Sequence, residues 1–252
     1  MNRFPLLLML VWTGLSFAMA QSPDHYWDME KRETIQSLWR PADQVPQQVA
    51  GFRGQGLVLE NNQHLNLARF LQMNQALTVS FWWKPQRFLG EQVLFRQSRL
   101  AKEAQSEVGR FIEVLLKDRT LLLRTESLAP AGQLSNLDLL AKPNDGWLFF
   151  TFTGDEFGYE LYLQGQLVAE SQDGTMFRAL GDFHNGLLIG QGTTSFHGVI
   201  DELKVFSERL DAYAILTMLR RDQREAATIA KPPKQNEEKE KNQLVQTAKD
   251  ST

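Results

Sequence analysis

The chain has 252 residues, 42% of them hydrophobic, and its 27 Lys and Arg against 30 Asp and Glu give a net charge of −3. That length can bury a core without covalent staples, and the absence of cysteine excludes disulfides, cysteine-ligated zinc, a thiol nucleophile and lipid attachment through sulfur. The charge balance also argues against a nucleic-acid binder, whose phosphate contacts need a concentrated basic face.

Residues 1–20 combine a positive charge at Arg3, an apolar run from Phe4 to Phe17 and the small-residue site Ala18-Met19-Ala20. This is the three-part layout of a secretory signal peptide, and it predicts a mature chain beginning near Gln21. The run is shorter than the roughly 18 residues a bilayer-spanning helix needs. No later segment is more apolar, so the mature chain is expected to have no membrane span and to be periplasmic or secreted.

From residue 21 to 210, short alternating runs are separated by Gly, Asn, Asp and Pro clusters, the pattern of a single all-β sandwich domain. Predicted strands include His25–Glu30, Gly56–Glu60, His64–Leu67, Leu77–Lys84, Val93–Gln97, Arg110–Leu116, Thr120–Glu126, Trp147–Thr153, Tyr159–Leu163, Gln166–Glu170, Leu187–Gly190 and Val199–Phe206. Tight hairpins are expected at Lys117-Asp118-Arg119 and at Gln164-Gly165, where glycine supplies a positive φ. Ser98–Gly109 is polar and is expected to form a longer loop. The glycines of Gly51–Gly56 (GFRGQG) permit a close backbone approach at the entry to a strand.

Asp211 is placed to cap a helix from Ala212 to about Thr228. Ile215, Leu216, Met218 and Leu219 form its apolar stripe, whereas Arg220, Arg221, Asp222, Arg224 and Glu225 are expected to face solvent. Residues 211–230 thus form a C-terminal helix on the domain. Pro232-Pro233 ends it, and residues 231–252 are charged and poor in large apolar groups, as in disordered tails.

The segments Ala76–Pro85 (ALTVSFWWKP), Trp147–Gly165 (WLFFTFTGDEFGYELYLQG) and Leu187–Leu210 (LLIGQGTTSFHGVIDELKVFSERL) together resemble the laminin-G-like, concanavalin A-like lectin/glucanase family. The resemblance implies a two-sheet antiparallel jelly-roll sandwich. It does not select a ligand, because one fold hosts many functions.

Alternation in VIDELKVF places Val199, Asp201, Leu203 and Val205 on one face and Ile200, Glu202, Lys204 and Phe206 on the other. An aspartate among aliphatic residues needs a partner, which can be backbone N–H groups, a basic side chain or a cation. The family resemblance implies a structural Ca²⁺ near this aspartate and the first strand, with Asp28 and Glu30 as further oxygen donors. Lys31 and Arg32 are alternative partners for those two carboxylates. A second family calcium position would need an aspartate where this chain has Gln164.

Leu77, Val79, Phe81 and Trp83 share one face of their strand, and Thr78, Ser80, Trp82 and Lys84 the other. Trp82 matches the family's tryptophan. With Tyr162 it is a candidate platform for a sugar ring, whose C–H face is apolar, and packing beneath a loop is the alternative. Asn185 and Gln191 are candidate rim contacts, while Trp147 is expected to pack structurally.

Glycoside hydrolysis needs two carboxyls flanking one bond. The Glu-x-Asp-x-Glu patterns of catalytic relatives do not occur, and the adjacent Asp201 and Glu202 are expected to point to opposite faces. The reading is an exported, non-catalytic module that recognises carbohydrate or polysaccharide. An envelope protein-interaction or scaffolding domain and a glycan-active enzyme without a recognisable motif are the alternatives.

Overall fold

The computed structural model describes residues 22–68, 76–88, 90–101, 107–125, 132–136, 146–174, 177, 183–192 and 194–229. The signal-peptide and tail expectations lie outside the described residues. In chain order the strands are β1 (His25–Trp27), β2 (Trp39–Arg40), β3 (Gln48–Ala50), β4 (Gln55–Leu59), β5 (His64–Asn66), β6 (Ala76–Pro85), β7 (Glu91–Ala101), β8 (Glu107–Lys117), β9 (Thr120–Thr125), β10 (Gly132–Asn136), β11 (Leu148–Asp155), β12 (Gly158–Leu163), β13 (Gln166–Ser171), β14 (Phe183–Ile189) and β15 (Gly198–Phe206). A short helix α1 spans Arg32–Gln36, and α2 spans Ala212–Ile229.

The strands form two antiparallel sheets. The first runs β13-β12-β11-β6-β15-β4-β3 with β1 added along β15, and the second runs β10-β9-β8-β7-β14-β5-β2. This is the expected all-β jelly-roll sandwich followed by a C-terminal helix. β7 and β8 extend well into the segment read as a long loop, so the connection is shorter than expected. In the Asp118-Arg119 and Gln164-Gly165 hairpins both central residues have positive φ (47° and 64°, then 52° and 74°), the requirement of the tight turn whose twist matches the strands.

Between the sheets lies the main core. Leu77, Val79, Phe81 and Trp83 of β6 and Leu148, Phe150 and Phe152 of β11 meet Leu94, Phe95, Ile112 and Val114 of the second sheet. Phe95 packs against Phe150 and Phe152 at ring separations of 5.2 and 5.0 Å.

A second apolar layer covers the outer face of the first sheet. Trp82, Trp147, Phe149, Tyr162, Val199 and Phe206 are buried there against Leu210, Ile215, Met218 and Leu219. The chain reaches α2 through Leu210, whose N–H donates to the Thr78 and Thr153 hydroxyls at 3.0 and 3.1 Å. Asp211 then caps the helix, its Oδ1 accepting the Ala214 N–H at 2.7 Å, as the sequence predicts. Asp222 departs from expectation. It is 1% exposed because the helix turns it toward the sheet, where a cation awaits it.

Candidate functional site

The acidic segment of β15 contains a β-bulge. Asp201 opposes Trp82 of β6 and Lys204 opposes Ser80, with a register shift between them, so Glu202 and Leu203 together face Phe81. Glu202 takes φ = 54°, the left-handed position that such bulges ordinarily give to glycine. The extra residue breaks the period of two. Ile200, Leu203 and Val205 enter the inter-sheet core, while Val199 and Phe206 belong to the outer layer.

The strict alternation therefore fails, and Asp201 and Glu202 do not point to opposite faces. Both reach the same residue: Asp201 Oδ2 accepts the Arg53 backbone N–H at 2.9 Å, and Glu202 Oε1 pairs with Arg53 Nε at 2.9 Å. Both carboxyls are nevertheless buried, with exposures of 0% and 1%, so neither is open to a substrate.

Asp201 Oδ1 accepts the Glu202 N–H at 2.8 Å. Burial, opposed by the Arg53 N–H and assisted by the Glu202 charge, pushes its carboxyl up to about 8. The Gly51–Gly56 loop can wrap this carboxylate because a Cβ on Gly51 would lie 2.5 Å from Asp201 Oδ2. Glu202 is also raised by burial, although Lys204, Tyr26 and Arg53 oppose the shift. Tyr26 donates to its Oε2 at 2.8 Å.

Calcium needs six to eight oxygens, and the residues do not fit it. Both Asp201 oxygens face N–H donors, whose partial charge would repel a cation. Glu30 Oε1 accepts the Gln55 N–H at 2.8 Å and Asp28 Oδ1 the Glu30 N–H at 3.1 Å. Among the described residues no group of three or more His, Cys, Asp or Glu could hold a metal ion. Arg32 does not neutralise either carboxylate but donates to Gln48 Oε1 at 3.2 Å.

The aromatic candidates are enclosed by the outer layer. Trp82 is 0% exposed, stacks on Phe52 at 3.6 Å and donates through Nε1 to Asp222 Oδ2 at 3.1 Å. The same oxygen accepts from Lys204 Nζ at 2.6 Å. Tyr162 is buried beside it, with its hydroxyl donating to Glu160 Oε2 at 2.7 Å; burial and that carboxylate raise the phenol pKa. Neither ring offers a face to a sugar, so the platform is corrected to a packing position under α2. Trp147 packs there too, as expected.

The second sheet carries a different arrangement on its outer face, centred on Glu113 of β8. Leu115 and Glu113 alternate with the core residues Val114 and Leu116, and the register sets Arg96 and Arg124 on either side of Glu113. The Glu113 carboxylate is 0% exposed. Arg96 Nη1 donates to Oε1, and Arg124 donates to Oε2 through Nε at 2.9 Å and Nη2 at 2.5 Å. Arg124 Nη1 also reaches Glu91 Oε1 at 2.9 Å, and Arg96 lies 4.2 Å over the Phe111 ring.

Among the described residues the result is a row of two guanidiniums and two carboxylates. Arg124 and Glu91 form its accessible end, with side-chain exposures of 27% and 32%. Predicted rim residue Gln191 belongs to the loop that overhangs this row: it bridges to Ser195, and a Cβ on its neighbour Gly192 would lie 2.5 Å from Glu113 Oε1. Asn185 lies on β14 opposite Arg99 of β7; its side chain is outside the described residues. The fold thus separates the four ligand candidates, leaving Trp82 and Tyr162 under α2 and bringing Asn185 and Gln191 to the second sheet. Sequence reasoning missed Arg96, Glu113 and Arg124. Their signal was charged residues at alternate positions within otherwise apolar strands.

Domain 4 of AbnA, a GH43 extracellular arabinanase from Geobacillus stearothermophilus, solved in complex with arabinotriose, is 18% identical, with a TM-score of 0.51 over 70% of this chain and 82% of that one. Trypanosoma rangeli sialidase is 16% identical over 65% of this chain and 27% of its own, with a TM-score of 0.49. A structure titled for the ganglioside-dependent cell entry of botulinum neurotoxin type C is 14% identical over 71% of this chain and 45% of its own, with a TM-score of 0.47. No curated protein matches the chain. The family model described as the concanavalin A-like lectin/glucanases superfamily matches residues 59–215, more than half of the chain, and the protein belongs to that superfamily.

Proposed function

We propose that the protein is an exported, non-catalytic carbohydrate-binding module and that its ligand lies on the outer face of the second sheet. The observation that carries this reading is the Arg96–Glu113–Arg124–Glu91 row. A buried carboxylate fixes two guanidinium planes, so little side-chain freedom is lost when a ligand arrives. Arg124 and Glu91 at the accessible end supply N–H donors and carboxylate oxygens, the complementary pair that sugar hydroxyls exchange with. Among the described residues the row carries equal numbers of the two charges, which favours neutral glycan hydroxyls over an ionised ligand.

Two further points support it. The arabinanase domain of related fold was solved with arabinotriose, and the acidic pair Asp201-Glu202 of β15 is enclosed. Export rests on the Arg3, Phe4–Phe17 and Ala18-Met19-Ala20 layout, and amino-terminal sequencing of the recovered protein should begin near Gln21.

The test is a glycan and polysaccharide screen on the mature chain beside Arg124→Gln/Glu91→Gln. Glu113 keeps its Arg96 partner in this variant, so the chain should fold with lowered stability, which circular dichroism and thermal melting check. Retention on the selected neutral glycan should fall at least tenfold. Unchanged retention in a folded variant overturns the placement, and no retention of any glycan by the wild type overturns the reading.

A further inference from the structure

A shallow, open groove runs along the solvent side of α2 between the side chains of Thr217, Arg220, Gln223, Arg224 and Ala227. We propose that this groove binds the carboxylate of an acidic oligosaccharide, at a site separate from the second-sheet face.

The argument begins with where α2 places its charges. Its two acidic side chains are both committed toward the sheet. Asp222 holds Lys204 and Trp82 beneath the helix, and Glu225 pairs with Arg53. Arg220, Arg221 and Arg224 are left on the outer side, and among the described residues none of them has a carboxylate partner. The chain as a whole is acidic at −3, so this basic strip is a local feature and not a consequence of composition.

Arg220 and Arg224 stand one turn apart, where like charges disfavour a helix. A bound anion removes that repulsion. Arg224 is also oriented: its Nε donates to the Arg220 carbonyl at 3.3 Å, which turns the two terminal nitrogens of its guanidinium away from the helix. A guanidinium offers paired N–H groups that match a carboxylate. The Thr217 hydroxyl and the Gln223 amide, in the same groove, can serve neighbouring hydroxyls in both donor and acceptor senses. Tyr213, one turn before Thr217 and 65% exposed, adds a ring for an adjacent sugar face. Carboxylate, hydroxyls and an apolar ring face together describe a uronate-type sugar better than inorganic phosphate or a bare polyanion.

The experiment titrates the mature chain with tri-galacturonic acid, its neutral methyl ester, and inorganic phosphate, by calorimetry at low and at physiological salt. The acid form should bind at least tenfold more tightly than the ester, and weaken as salt rises. Arg220→Gln/Arg224→Gln keeps good helix formers at exposed positions and should abolish that preference, while retention of the neutral glycan at the second-sheet face stays unchanged. Equal binding of acid and ester, an unaffected double variant, or binding of phosphate as tight as that of the acid overturns the proposal. Loss of neutral-glycan retention in Arg124→Gln/Glu91→Gln with the acid preference intact supports two separate sites.

Discussion

Replacing Trp82 by alanine separates a packing role from a ligand platform. The indole is 0% exposed, lies nearly parallel to Phe52 at 3.6 Å, touches Phe149 at 5.2 Å and donates to the buried Asp222 carboxylate at 3.1 Å. Truncating a buried aromatic costs about 3–5 kcal/mol, and loss of the bond to a charged acceptor puts Trp82→Ala toward the upper end, about 4–5 kcal/mol. At roughly 2–4 °C per kcal/mol for a chain of this size, melting should fall by about 10–20 °C. Trp82→Phe keeps most of the stacking and removes the N–H, so it should cost about 1–3 kcal/mol. Urea unfolding followed by circular dichroism measures both. An exposed platform would instead tolerate alanine within about 0.5 kcal/mol, and a loss below about 1 kcal/mol would refute the burial of Trp82 under α2.

Lys204→Met strands the Asp222 charge and should cost about 3–5 kcal/mol, whereas Lys204→Met/Asp222→Asn should recover part of that loss, because the neutral amide removes the stranded charge and keeps an oxygen for Trp82 Nε1; a double variant no better than the single one refutes the pairing. Burial pushes the folded Asp201 carboxyl up to about 8, well above the usual carboxylate range, so at neutral pH the native state keeps a proton that the unfolded chain has released. Its stabilising contribution is full below about pH 4 and is lost as the pH rises through about 8. Wild type should therefore lose more unfolding free energy between pH 5 and pH 8 than Asp201→Asn does, and parallel losses by urea titration would refute the shift. Adding calcium and then a chelator should leave the melting temperature unchanged, since Asp201 already accepts two N–H groups; a calcium-dependent rise that disappears in Asp201→Asn would show a cation at this carboxylate.

The sandwich was legible because both of its periodic signals are strong. Leu77, Val79, Phe81 and Trp83 mark one face of β6, Leu148, Phe150 and Phe152 mark one face of β11, and each set enters the same core. The hairpins follow from turn chemistry at Asp118-Arg119 and Gln164-Gly165. The short pieces β2, β3 and α1 carry too few residues for a period to show. At Asp201 the rule itself fails: a bulge is one inserted residue, invisible to alternation, and it reverses the predicted side of Leu203 and Val205 relative to Asp201. The burial of Trp82 was hidden for another reason. Its strand presents apolar residues on one side and Thr78, Ser80 and Lys84 on the other, which reads as solvent until α2 and the segment leading into it cover that side.

Those partners explain why the outer layer tolerates so many polar groups. Ser80 donates to Met218 Sδ at 3.4 Å, Thr78 to the Glu208 carbonyl at 2.7 Å, and Lys204 and Trp82 converge on Asp222. Each satisfies a group that would cost several kcal/mol if buried alone, and the Ser80, Lys204 and Trp82 contacts are met only when α2 sits in one register. The polar face of β6 thus specifies how the helix docks, while Ile215, Met218 and Leu219 supply the apolar contact. The helix buries this face, which puts its rings and hydroxyls out of reach of a sugar. The same reasoning directs the search for a ligand to the second sheet, where Arg124 and Glu91 remain within reach of solvent, and to the outward arginines of α2.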